Sequence, residues 1–224
     1  MIRIAKSGFM WSGSKTDRQA LRDEFHRHHY LRFPNFVAPD ILSFVQREIN
    51  RGEFYERVHT NIGSNKELCM RGNAGFGALL LLMNDENLFE LIQDLTQCSP
   101  ISCFEGRIYR FAGDAGHHDS WHSDLAEDRQ VAVSINLSPE PYEGGVLQIR
   151  DTTLKQIVSE VCNVGLGDAL IFRLSPGFQH RITEVKGTVA KTTFAGWFRG
   201  KTDFLSLLKN APSTEAERLR SSAA

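Results

Sequence analysis

At 224 residues, the chain can bury a sizeable core in one domain without disulfide staples. Its 26 basic and 27 acidic residues are interleaved and leave a net charge of −1, which excludes the positive field of a nonspecific nucleic-acid or anionic-membrane binder. No apolar run approaches the ~20 residues of a membrane-spanning helix, the N-terminus is too polar for a signal peptide, and the four cysteines form no C-x-x-C pair, so a reducing cytoplasm is expected. A Cys98–Cys103 disulfide is disfavoured on the same ground.

The early chain reads as helical. Thr16 to His29 has a polar start and sets Leu21 and Phe25 four residues apart, which predicts a surface helix. Pro39 to Ile49 places Ile41, Phe44, Val45 and Ile49 on one face, with Gly52 where a C-cap is expected. Residues 59–77 hold glycines at 63, 72, 75 and 77 and little periodicity, predicting a long loop of the kind that serves as a substrate lid. A third helix is expected from Asn84 or Asp85, with Leu88, Leu91, Ile92 and Leu95 on one face and Pro100 marking its end.

From Cys103 onward the apolar period shortens to two. Strands are predicted at 103–112, 130–137, 145–150, 156–164, 168–174 and 191–198, separated by Gly, Pro or Asp turns. Helices followed by six or more short strands predict an α+β, mainly β fold: a double-stranded β-helix (jelly roll) with N-terminal helices packed on one sheet. The expected organisation is one domain over 1–210, helical over about 14–100 and β over about 103–200, followed by a polar tail at 211–224.

The residues with the most chemical content are His122, Asp124 and His180. In a strand, residues i and i+2 share a face, so His122 and Asp124 can offer a nitrogen and an oxygen to one ion, with His180 brought in by folding. Two imidazoles and one carboxylate on one side of an octahedral ion leave the other side open, as in non-haem Fe(II) oxygenases. His117 and His118 sit in a glycine-containing polar stretch and are expected at a loop surface or the outer pocket. Gly165-x-Gly167 leads into a strand, which excludes a nucleotide fingerprint, since that needs a following helix.

The order of these segments resembles the 2-oxoglutarate/Fe(II)-dependent dioxygenases, in particular their prolyl-hydroxylase-like branch. The resemblance rests on His122-x-Asp124, the Gly165-Leu-Gly-Asp168 turn before an apolar strand, His180, and Lys191-Thr-Thr-Phe-Ala-Gly-Trp-Phe198. It extends through Val131–Ser138, the Gly144-Gly145 turn and Leu31–Leu42, covering roughly residues 25 to 200. It implies Fe(II) held by His122, Asp124 and His180, with 2-oxoglutarate and O2 as cosubstrates. It further implies that Lys191, eleven positions after His180, pairs with the far carboxylate of 2-oxoglutarate. Thr193 shares a strand face with Lys191 and could add a hydroxyl, while Tyr109 and Asn136 stand where relatives contact the cosubstrate.

The implied reaction is oxidative decarboxylation to succinate and CO2 coupled to hydroxylation of an unactivated C–H bond. Relatives that halogenate replace the carboxylate ligand, and here Asp124 is present. Desaturation and cyclisation stay open, as does the oligomeric state. The implied partner is a small metabolite, an amino acid or a peptidyl residue, with Arg57, Asn61, Arg71 and Asn73 near the expected entrance. Nucleic acid and membrane are not expected partners. Two alternatives remain at this point: a jelly-roll metalloenzyme that does not use 2-oxoglutarate, and a noncatalytic jelly-roll binding protein.

Overall fold

A computed structural model of the chain describes residues 2–58, 66–126 and 128–201. The chain opens with a hairpin, β1 (Ile2–Ala5) and β2 (Gly8–Trp11), then α1 (Lys15–His28), β3 (Tyr30–Phe33) and α2 (Pro39–Arg51). A second hairpin, β4 (Phe54–Val58) and β5 (Lys66–Met70), precedes α3 (Ala74–Met83) and α4 (Glu86–Thr96). The β-rich part follows as β6 (Cys103–Phe111), β7 (Asp119–His122), β8 (Arg129–Asn136), β9 (Glu143–Gly144), β10 (Leu147–Asp151) and β11 (Ile157–Val161). It ends with β12 (Ala169–Arg173), β13 (Phe178–Ile182), β14 (Val185–Lys186) and β15 (Lys191–Arg199).

Two antiparallel sheets carry the fold. The larger has the order β3-β12-β8-β15-β6-β5-β4 and the smaller β11-β10-β13-β7. Period-two alternation gives each strand of the larger sheet two different jobs. Val131, Val133 and Ile135 of β8, Ala169 and Ile171 of β12, and Phe194 and Phe198 of β15 face the helices and form one core with them. The alternate positions, among them Tyr109, Phe111, Ala132, Leu170 and Phe172, meet Leu147, Ile149 and Ile182 of the smaller sheet in a second core. The result is the expected jelly roll with helices on one face. Many inward residues of β8 and β15 are small or polar, namely Ala132, Ser134, Asn136, Thr193 and Ala195, so the inter-sheet space is not filled throughout.

Local chemistry explains the helix ends. Ser14 and Asp17 form a reciprocal capping box on α1, and His29 ends that helix in the left-handed region at φ 64°. Asp85 caps α4 by accepting from the Asn87 and Leu88 amides, and Leu88, Leu91, Ile92 and Leu95 are buried as their spacing predicts.

The expected 59–77 loop is corrected in part. Lys66–Met70 is a strand and Ala74 onward is a helix capped by Asn73, while 59–65 lie outside the described residues. The glycines that suggested a loop have another use: a Cβ on Gly75 would sit 2.7 Å from the Glu48 Cβ, so its absence lets α3 close on α2. Residues 211–224, expected as a tail, also lie outside the described residues. The four cysteines are free. Among the described residues no helix is long and apolar enough to cross a membrane.

Phe194 is fully buried between Phe76 of α3 and Phe104 of β6, at ring-centroid distances of 6.2 and 5.5 Å. Phe194→Ala is expected to lower the unfolding free energy in urea by about 3–5 kcal/mol through the cavity it leaves; a loss below about 1 kcal/mol would contradict this account of helix–sheet packing.

Candidate metal centre and cosubstrate pocket

His122, Asp124 and His180 converge: one donor atom from each lies within 4.8 Å of the others. His122 Nε2 is 3.6 Å from Asp124 Oδ1, and His180 Nε2 is 3.4 Å from Asp124 Oδ2. The two imidazole rings sit 4.2 Å apart, paired across β7 and β13 by the register His122↔His180. The expected strand geometry for H-x-D needs correction. β7 ends at His122, and Asp124 lies beyond it with φ 54°, a left-handed conformation that aspartate tolerates better than most side chains. The carboxylate is thus delivered by a turn rather than by strand alternation.

The surroundings fix these donors. His122 Nδ1 lies 2.6 Å from the Ser120 carbonyl, which accepts a hydrogen bond from the Nδ1–H tautomer and so leaves Nε2 to face the cluster. Trp197 Nε1 donates to Asp124 Oδ2 at 3.0 Å, and Arg129 donates to the Asp124 carbonyl at 3.1 Å while its guanidinium lies 3.6 Å from the Trp197 ring centroid. His180 packs edge-on against Phe172.

Burial disfavours the Asp124 anion, but hydrogen bonds and charge from His122 and His180 outweigh it and hold the carboxyl far below its ordinary range. Burial dominates at His180 and lowers its pKa, whereas at His122 the bond to Asp124 overcomes burial and raises it. An ionised carboxylate beside two imidazole nitrogens is the donor set a divalent cation takes.

This cluster forms one wall of a cavity of about 210 Å³ between the sheets, also lined by Tyr109, Asp119, Arg57, Arg107 and Arg129. Asp119 has no signal in the sequence. On β7 three residue steps, Asp119 to His122, oppose two on β13, Ile182 to His180, and this bulge turns Asp119 to the same side as His122.

Lys191, Thr193, Ala195 and Trp197 share the inward face of β15, as predicted. The Lys191 ammonium is buried and donates to the Gly145 carbonyl at 2.8 Å. It borders a small void behind the main cavity, and the two spaces share Ser134, Phe172 and Ile182. The turn before β10 makes this possible, since Gly145 has φ +59° and a Cβ there would come within 2.9 Å of the Lys191 Cδ. Thr193 Oγ1 and Asn136 Nδ2, cross-strand partners in register, are buried without a hydrogen-bond partner. A buried ammonium, an orphaned hydroxyl and an orphaned amide N–H₂ on one interior surface are a donor set that fits a carboxylate.

Of the residues expected at the entrance, Arg57 lines the cavity and Asn61 lies outside the described residues. Arg71 pairs with Glu53 at 3.4 Å and covers the Tyr55 ring, and Asn73 caps α3 and donates to the Glu48 carbonyl. Neither lines the cavity. His117 is buried rather than at a loop surface, its Nδ1 accepting from the Ala112 amide.

Residues 106–199 match the sequence model of the 2OG-Fe(II) oxygenase superfamily. The chain carries a 2OG-Fe(II) oxygenase domain. The matched span runs from β6 to the end of β15 and contains His122, Asp124, His180 and Lys191. The oxygenase is similar in fold to a Pseudomonas putida prolyl-4-hydroxylase, with TM-score 0.59 and 16% identity over 82% of this chain and 99% of that one. It is similar to a Burkholderia pseudomallei oxidoreductase of the 2OG-Fe(II) oxygenase family, with TM-score 0.60 and 13% identity over 84% of this chain and 94% of that one. A Trichoplax adhaerens prolyl hydroxylase, solved in complex with a hypoxia inducible factor oxygen degradation domain peptide fragment, gives TM-score 0.55 and 12% identity over 90% of this chain and 99% of that one. No curated protein matches the chain in sequence. The matched domain is that of a 2-oxoglutarate-dependent dioxygenase, a family that uses Fe(II), 2-oxoglutarate and O2.

Burial pushes the Lys191 ammonium down to about 8, partly opposed by the charge of Asp119. Between that value and the ordinary 10.5 the unfolded chain holds a proton that the folded protein has released, so stability rises with pH in this window. Relative to Lys191→Met, the metal-free wild type is expected to gain about 1–3 kcal/mol of unfolding free energy as pH rises through the window. Parallel profiles for the two proteins would show that Lys191 is not buried as described.

Proposed function

We propose that this dioxygenase hydroxylates an unactivated C–H bond of a small metabolite, an amino acid or a peptidyl residue, releasing succinate and CO2. The observation that carries the proposal is the convergence of His122, Asp124 and His180 on one wall of a cavity, with a buried lysine and two orphaned donors behind it. When bound, Fe(II) with 2-oxoglutarate supplies the activation of O2 and the oxidising equivalent for the C–H bond.

The chain's own residues bind, orient and exclude water. His122, Asp124 and His180 are the proposed iron ligands. Trp197 and Arg129 orient the Asp124 carboxylate, and the Ser120 carbonyl sets the His122 tautomer. Lys191 is the proposed partner of the far cosubstrate carboxylate, which would share the ammonium with the Gly145 carbonyl. Lysine is a point charge without a bidentate fork, so the donors of Thr193 and Asn136 are assigned the orienting role, with the neutral phenol of Tyr109 on the cavity side. Burial, followed by the charges of Asp119 and Glu67, keeps that phenol protonated. Arg57 is the proposed contact for the substrate at the rim.

Succinate formation without added prime substrate tests the assignment, using anaerobically purified protein given Fe(II), 2-oxoglutarate and air. Wild type is expected to form succinate, His122→Ala to lose it, and Lys191→Ala to need at least about tenfold more 2-oxoglutarate, the scale of one lost charged contact. Equal turnover in wild type and His122→Ala would remove His122 from the iron site.

A further inference from the structure

The cavity wall carries a carboxylate without a partner and a guanidinium that shares its partner with a second arginine, one from each sheet. Asp119 belongs to β7, the edge strand of the smaller sheet, and Arg57 to β4, the edge strand of the larger. Both line the cavity that holds the candidate iron ligands. Among the described residues the Asp119 carboxylate has no hydrogen bond and no ion pair. Its nearest charged influences are His122, Lys191, Glu67 and His180, and burial raises its pKa. A carboxylate turned into a cavity without a partner is costly, so a ligand group that donates to it is strongly favoured over one that does not.

Arg57 is in surplus for a different reason. Its Nη1 lies 3.7 Å from Glu67 Oε1, but Arg107 already holds that oxygen at 2.8 Å and the other Glu67 oxygen at 3.1 Å. Two guanidinium groups therefore share one carboxylate, which leaves a net positive charge in this trio. Arg57 is also the more exposed of the two, as suits a group at the mouth. The third cavity arginine, Arg129, is balanced by Asp124.

Resting on the oxygenase assignment above, we infer that the prime substrate is a small zwitterion, a free amino acid, whose carboxylate is held by Arg57 and whose ammonium is held by Asp119. A neutral metabolite would leave Asp119 unpaired and Arg57 with only its share of Glu67, and a residue inside a peptide has neither terminal charge to offer. The two contacts sit on the edge strands of facing sheets, so together they orient the molecule across the cavity beside the candidate iron ligands.

Calorimetry on the full chain loaded with Mn(II) and 2-oxoglutarate tests this assignment. The ligands are the free proteinogenic L-amino acids and, for each, the N-acetyl and C-amide forms. At least one free amino acid is expected to bind, and each of its blocked forms at least about tenfold more weakly. Asp119→Asn is expected to weaken the free form about tenfold while leaving the N-acetyl form unchanged, and Arg57→Gln to weaken the free form similarly while leaving the C-amide form unchanged. Cooperative thermal unfolding of each variant verifies that it is folded. Binding of no free amino acid, or equal binding of a blocked form, overturns the assignment. Binding of 2-oxoglutarate to the Mn(II) protein before any amino acid is added reports on the underlying oxygenase site. Its absence would sink that site and the zwitterion together, whereas its presence with no amino-acid binding sinks the zwitterion alone.

Discussion

The Asp124 carboxylate is the point on which the interior depends. It stands between His122 at the end of β7 and His180 on β13, and on its other side takes the Trp197 N–H from β15. Arg129, at the start of β8, holds the backbone of the same residue. One ionised group thus links both sheets through four elements, and its contacts with His122 and His180 favour the charged form against the burial that opposes it. A neutral replacement would leave two imidazoles and an indole N–H facing nothing, in a region where unpaired polar atoms are costly.

The cavity around that carboxylate follows from strand alternation. On β8 and β15 large apolar side chains point toward α3 and α4, where Phe194 and Phe198 pack on Phe76, Phe89 and Phe104. The opposite positions are small or polar, and space remains between the sheets. The same alternation that builds a firm helix–sheet core therefore leaves room for chemistry on the reverse side of the same strands. Lys191, Thr193 and Asn136 belong to that reverse side, where a buried ammonium and the orphaned donors of Thr193 and Asn136 suit an anion better than packing.

Much of this was legible in the sequence because it rests on periodicity and residue type. The strands β6, β8, β12 and β15 fall within a residue or so of their predicted limits, and the face shared by Lys191 and Thr193 follows from counting by two. Three features were hidden for physical reasons. Helix α3 is apolar nearly all round and carries Gly75 and Gly77 in its first turn, so its signal resembled a loop; tertiary packing of Gly75 against α2 decides the matter. Asp119 becomes visible only through a bulge, which breaks the rule that residues three apart in a strand face opposite sides. Arg71 and Asn73 looked free for binding, but an ion pair and a helix cap occupy them, and neither partnership is written in local sequence.

The most direct measurement is the visible absorption of the anaerobic Fe(II) protein during titration with 2-oxoglutarate, with Asp124→Ala alongside. A charge-transfer band that saturates at one iron and one 2-oxoglutarate per chain, and is lost in the variant, is the predicted result, because chelation at iron requires both the ligand cluster and the donors behind it. A wild-type protein that binds neither iron nor 2-oxoglutarate stoichiometrically, or a variant that keeps the band, would contradict the central claim that Asp124 anchors the iron site.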